Sequence, residues 1–94
     1  MKRYIKSSSE SNFTAVWYGY PNGREEESMH VQFKDFNDID SAIRFLQMKA
    51  EKTRGAHWAG AQIEDVDSDV VYEITSDYEV LDNLRIVEEK SYAQ

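Results

Sequence analysis

The chain has no cysteine, which excludes disulfide staples, thiolate metal sites and cysteine nucleophiles together. One proline and four glycines in 94 residues are too few for a linker or a low-complexity chain. Gly19, Gly23, Gly55 and Gly60 never approach the spacing of a phosphate-cradling loop. No apolar run reaches the roughly 20 residues needed to span a bilayer, and no basic amphipathic face suggests binding at a membrane surface. Met1-Lys2-Arg3 is not followed by the apolar segment of a secretory signal. The expectation is a cytoplasmic protein without membrane association. Basic residues are scarce in one region above all. Residues 61–94 hold two Lys or Arg against ten Asp or Glu, whereas residues 1–60 hold nine against eight. The net charge of −7 therefore belongs to the last third, and no basic residue stands between Ala61 and Leu84. Such a field repels nucleic acid and favours basic partners, within a Debye length of about 8–10 Å at physiological salt.

What is present is enough for one core. The sequence is 40% hydrophobic and 13% aromatic, and a chain of this length buries roughly 60–65% of its extended-chain surface on folding. Residues 13–33 read as a β-hairpin in which Pro21, Asn22 and Gly23 form the turn and Tyr20 faces Arg24. That closure predicts the pairs Trp17 with Glu27, Ala15 with Met29 and Phe13 with Val31, with Phe33 continuing the same apolar side. Thr14, Val16, Tyr18 and Tyr20 then share the outer face with Glu26, Ser28, His30 and Gln32. Residues 2–6 predict a short first strand, and the polar stretch 7–12 predicts a mobile loop.

After the hairpin, Asn37 as cap and Gly55 as stop predict a helix from about Asp38 to Arg54. Ile39, Ala42, Ile43, Leu46 and Ala50 form its apolar stripe, set to lie across Phe13, Trp17, Met29, Val31 and Phe33. Phe45 and Met48 fall off that stripe, which assigns their cover to the C-terminal segment. Trp58 is expected to plug an edge of the core from a connector. Gln62 to Val66 and Val70 to Thr75 predict a second hairpin around Asp67-Ser68-Asp69, followed by a last strand from about Leu84 and fraying over 89–94.

Constellations for chemistry are thin. Asp65, Asp67 and Asp69 have the opening spacing of an EF-hand loop, but its glycine and its closing glutamate would fall at Val70 and Ser76. His30 and His57 are the only histidines and lack further ligands at metal-site spacing. No glycine-flanked serine elbow is present. Neither a metal nor a cofactor is expected, nor an enzyme. Three strands followed by a helix over roughly residues 2–55 resemble, in element order, the DNA-binding domains of the AP2 and integrase-arm type. That resemblance implies readout by the sheet, here through Tyr18 and Tyr20. Against it, Glu25, Glu26 and Glu27 would face phosphates at the hairpin tip.

The reading is a single α+β domain of order β-β-β-α-β-β, with room for one further strand, a mainly antiparallel sheet and one helix on one face. The expected function is non-catalytic binding of a basic protein partner by a monomer or weak homodimer, with no direct contact to nucleic acid. Its most specific form is an inhibitor that mimics nucleic acid, as small acidic anti-defence proteins of phages and mobile elements do. Glu64, Asp65, Asp67, Asp69 and Glu73 are the expected partner-binding residues, and Tyr18, Tyr20 and His30 form a secondary surface. The rival is a βββα nucleic-acid-binding module that uses the aromatic sheet face.

Overall fold

The computed structural model describes residues 12–20, 29–53 and 57–90. Its elements are β1 (Phe13–Gly19), β2 (His30–Phe36), α1 (Ile39–Lys52), β3 (Trp58–Asp65), β4 (Val70–Ile74), β5 (Val80–Asp82) and a short α2 (Arg85–Glu89). The strands form one antiparallel sheet in the order β2-β1-β3-β4-β5, and α1 packs on it. The α+β class and the helix on one face are as the sequence predicts. The predicted strand over 2–6 and most of the predicted loop over 7–12 lie outside the described residues.

Helix α1 forms because Ala42 and Leu46 sit one turn apart and are fully buried, with Ile39, Ile43 and Ala50 flanking them. Its cap is Asp38, one residue later than predicted. Asp38 has extended backbone and accepts the Ser41 N–H at 3.0 Å, and the Ser41 hydroxyl donates back to the same carboxylate at 3.0 Å. These two bonds, the backbone one foremost, hold the Asp38 carboxyl below its ordinary range. The helix ends at Lys52, where the Thr53 N–H reaches the Lys49 carbonyl at 2.9 Å. The predicted stop, Gly55, lies outside the described residues.

The first hairpin has a register different from the predicted one. Phe13 stands opposite Phe36, Ala15 opposite Lys34 and Trp17 opposite Gln32. The shift is five residues, and an odd shift turns β2 over. Met29, Val31 and Phe33 therefore leave the core, and Phe33 is 66% exposed. The helix decides this. Phe36 lies 5.3 Å from Phe45, and Trp17 meets the same ring edge-on at 5.0 Å. Lengthening a loop adds only about 0.6 kcal/mol per doubling, a cost that even the partial burial of Phe36 and Trp17 against Phe45 can offset. The predicted turn at Pro21, Asn22 and Gly23, with its closing residue Arg24, lies outside the described residues. The same contacts correct the predicted cover of Phe45, which comes from β1 and β2, and Met48 stays exposed.

Strand β3 starts at Trp58, so this residue belongs to the sheet and is fully buried. Its indole N–H donates to the Thr75 carbonyl at 2.9 Å, and the Tyr78 ring stacks on it at 5.3 Å. Gly60, at φ 113°, lies where the β1–β3 register shifts, a conformation that side chains seldom allow. The predicted second hairpin is present as β3–β4. The strand predicted from Leu84 is not. Its pairing role falls to Val80–Asp82, and Arg85–Glu89 is helical. Leu84, Ile86 and Val87 pack against the core at helical spacing.

Both turns that bracket β4 share one construction. Ser68 and Tyr78 have left-handed backbone, and each N–H reaches the carbonyl three residues earlier, of Asp65 and Thr75. The side chains of Asp65 and Thr75 then accept two N–H groups each, from Asp67 and Asp69 and from Asp77 and Glu79. Tyr78 is a bulky residue for that backbone. Its hydroxyl donates to the Thr53 carbonyl at 2.9 Å, which ties the end of α1 to the β4–β5 turn.

Candidate functional site

Strand β1 lies between β2 and β3, so its alternation distributes residues over the two sheet faces. Phe13, Ala15 and Trp17 point towards α1. Thr14, Val16 and Tyr18 point the other way, beside Asp35, Phe33 and Val31 on β2 and Glu64 and Gln62 on β3. Glu73 stands opposite Gln62, and Leu81 opposite Glu73, which extends this outer face to β5. Its charged members among the described strand residues are Asp35, Glu64 and Glu73, all acidic. Its exposed apolar residues lie at the two edges, Phe33 and Val31 on β2 and Leu81 on β5, while Val16 between Phe33 and Gln62 is buried.

At the Thr14 end of this face is a depression of about 280 Å³ lined by Asn12, Thr14, Asp35, Glu64, Asp65, Val66 and Ser68. Thr14 is the register partner of both Asp35 and Glu64, so the two carboxylates flank it. The Thr14 hydroxyl donates to Asp35 at 2.9 Å, and the Gln62 amide donates to Glu64 at 2.7 Å. Both donors are neutral. They orient the carboxylates without cancelling their charge.

The turn carboxylates are arranged differently. Asp65 is a buried carboxylate, its side chain 0% exposed, and Lys90 reaches it at 2.7 Å. The same ammonium donates to Asp69 at 2.8 Å and to Asp67 at 2.9 Å. Bonding to Asp65, then to Asp69 and Asp67, raises the Lys90 pKa well above the ordinary lysine value. The three carboxylates could crowd around a cation, their ligand atoms lying within 4.8 Å of one another. Here the ammonium does so. Lys90 falls within the segment expected to fray; Glu89 closes α2, and residues 91–94 lie outside the described ones.

The five predicted acidic residues therefore divide. Asp65, Asp67 and Asp69 surround Lys90, whereas Glu64 and Glu73 lie on the outer face, beside Thr14 and Gln62. His30 leaves the predicted outer surface. It pairs with Gly19 on the helix side and lines a second cleft, of about 320 Å³, with Tyr20 and His57. Asp35 and Phe33 were missing from the predicted surface, because their face depends on a register set by distant contacts. Lys90 did carry a signal: with Arg85, it is one of two basic residues among ten acidic ones in residues 61–94.

No protein-family model matches the chain, and neither a curated protein nor a solved structure shows significant similarity to it.

Proposed function

We propose that the protein is a non-catalytic interaction module whose outer sheet face receives a basic protein partner. The supporting observation is the depression at Thr14, where Asp35 and Glu64 are held by neutral donors and keep their charge beside the exposed Phe33 ring. An arginine or lysine entering it meets two carboxylates, and its aliphatic stem or an apolar neighbour covers Phe33. Glu73 extends the negative rim across the face. Occupying the nucleic-acid site of a basic protein is the most specific form of this function, since such a site combines cationic and flat apolar elements. Asp65, Asp67 and Asp69 contribute field around the corner, reduced by Lys90.

The test is capture of partners from native cell extract at low and high salt by the parent, by Asp35→Lys/Glu64→Lys, by Phe33→Asp and by Asp77→Lys as control. A partner of this face is lost from the first two variants and at high salt, and is retained by the control. A partner held equally by all four proteins would move the interface elsewhere. Gel shifts with single- and double-stranded probes address the nucleic-acid rival: tight binding lost in Tyr18→Ala would replace the present proposal.

A further inference from the structure

The cleft at the other end of β1 has the opposite chemistry. Among the described residues, Trp17, Gly19, Tyr20, His30, Gln32, Lys52, Thr53 and His57 line it, and none of these carries a carboxylate. Both histidines of the protein meet there from different elements, His30 at the start of β2 and His57 just before β3. Gly19 makes the convergence possible: a Cβ on it would lie 3.0 Å from the His57 carbonyl oxygen. The His57 segment therefore folds closely over the strand end. Two bonds hold it, from the Tyr20 N–H to the His57 carbonyl at 3.1 Å and between His57 Nδ1 and the Tyr20 carbonyl at 2.8 Å. A carbonyl only accepts, so Nδ1 is the donor and carries hydrogen. Nε2 is left for a ligand, and it too is a donor in the protonated ring.

We infer that this cleft binds a small oxyanion, such as a phosphate, sulfate or carboxylate group. Lys52 supplies an ammonium, the two imidazoles supply N–H donors when protonated, and the Gln32 amide can add another. Lys49, 4.6 Å from the centre of the Trp17 ring, adds positive charge at the wall. The C-terminal end of α1 opposes an anion, but the Lys49 and Thr53 carbonyls there already accept bonds from the Thr53 N–H and the Tyr78 hydroxyl. This site lies at the opposite end of β1 from the proposed partner depression and does not depend on it.

Sulfate is the probe, titrated at constant ionic strength against chloride, with amide and imidazole NMR resonances as readout. Saturable shifts confined to Gly19, Tyr20, His30, Thr53 and His57 are expected. Lys52→Gln and His30→Ala change exposed side chains, and each weakens binding by about tenfold, as loss of a charge-assisted contact does. Scattered or non-saturable shifts, or shifts unchanged in both variants, overturn the inference. It is overturned equally if zinc chloride, and not sulfate, moves the two imidazoles, which would make the cleft a metal site.

Discussion

The Lys90 ammonium lies 2.7 Å from the buried Asp65 carboxylate, and 25 residues of chain separate the two. This bond joins the end of α2 to the β3–β4 turn. Asp65 serves both, since its Oδ1 accepts the Asp67 and Asp69 N–H groups while its Oδ2 takes Lys90.

Removing the Lys90 ammonium takes a counter-charge away from a buried carboxylate, and breaking one side of a buried pair costs more than the intact pair contributes. Lys90→Met is therefore expected to lower the melting temperature, and to do so less when combined with Asp65→Asn. Asparagine keeps the oxygen that closes the turn and loses the charge. Thermal melts of the two single variants and the double variant measure this coupling, and strict additivity would contradict it.

Two titrations with opposite signs follow from the shifts. The folded Lys90 pKa is raised, so its contribution is complete below the ordinary lysine value and fades as pH rises through the folded value. The Asp38 pKa is lowered, so its contribution is complete above the ordinary aspartate value and is lost as pH falls through the folded value. Melting curves should thus separate parent from Lys90→Met at pH 7 and converge in strong alkali. Parent and Asp38→Asn should differ at pH 7 and converge in acid, because asparagine caps the helix without the charge.

The hairpin register makes a prediction by contrast. Leu46→Ala removes a fully buried side chain and is expected to cost about 2–5 kcal/mol. Phe33→Ala removes an exposed ring and is expected to change stability by less than about 0.5 kcal/mol. Chemical denaturation of both variants decides the point. A Phe33→Ala loss as large as that of Leu46→Ala would restore the tight-turn register.

The paired turns predict changes of opposite direction. Ser68→Gly removes a Cβ from left-handed backbone, with an expected gain of about 0.5–1 kcal/mol. Tyr78→Phe keeps the ring on Trp58 and loses the bond to the Thr53 carbonyl, at an expected cost of about 0.5–1.5 kcal/mol. Denaturant midpoints read both, and hydrogen exchange in the last turn of α1 should speed up in Tyr78→Phe alone.

What the sequence determined by itself is what neighbouring residues encode. The stripe of Ala42 and Leu46 specifies α1, and the run Asp65 to Asp69 specifies a turn, because periodicity and side-chain bonds to nearby N–H groups act over a few residues. Alternation of Tyr72 and Ile74 with Glu73 specifies a strand, and the fold decides its faces, since Val71 is fully buried as well. Everything that depends on competition between distant partners was left to the tertiary structure. The Pro21-Asn22-Gly23 pattern speaks only for its own neighbours, whereas the observed register of β2 places Phe36 and Trp17 against Phe45 of the helix. That choice sent Phe33 and Asp35 outward and His30 towards His57. Likewise, three aspartates read as a free acidic surface until the fold brings Lys90 among them, because an ion pair is chosen by proximity in space, which spacing along the chain does not reveal.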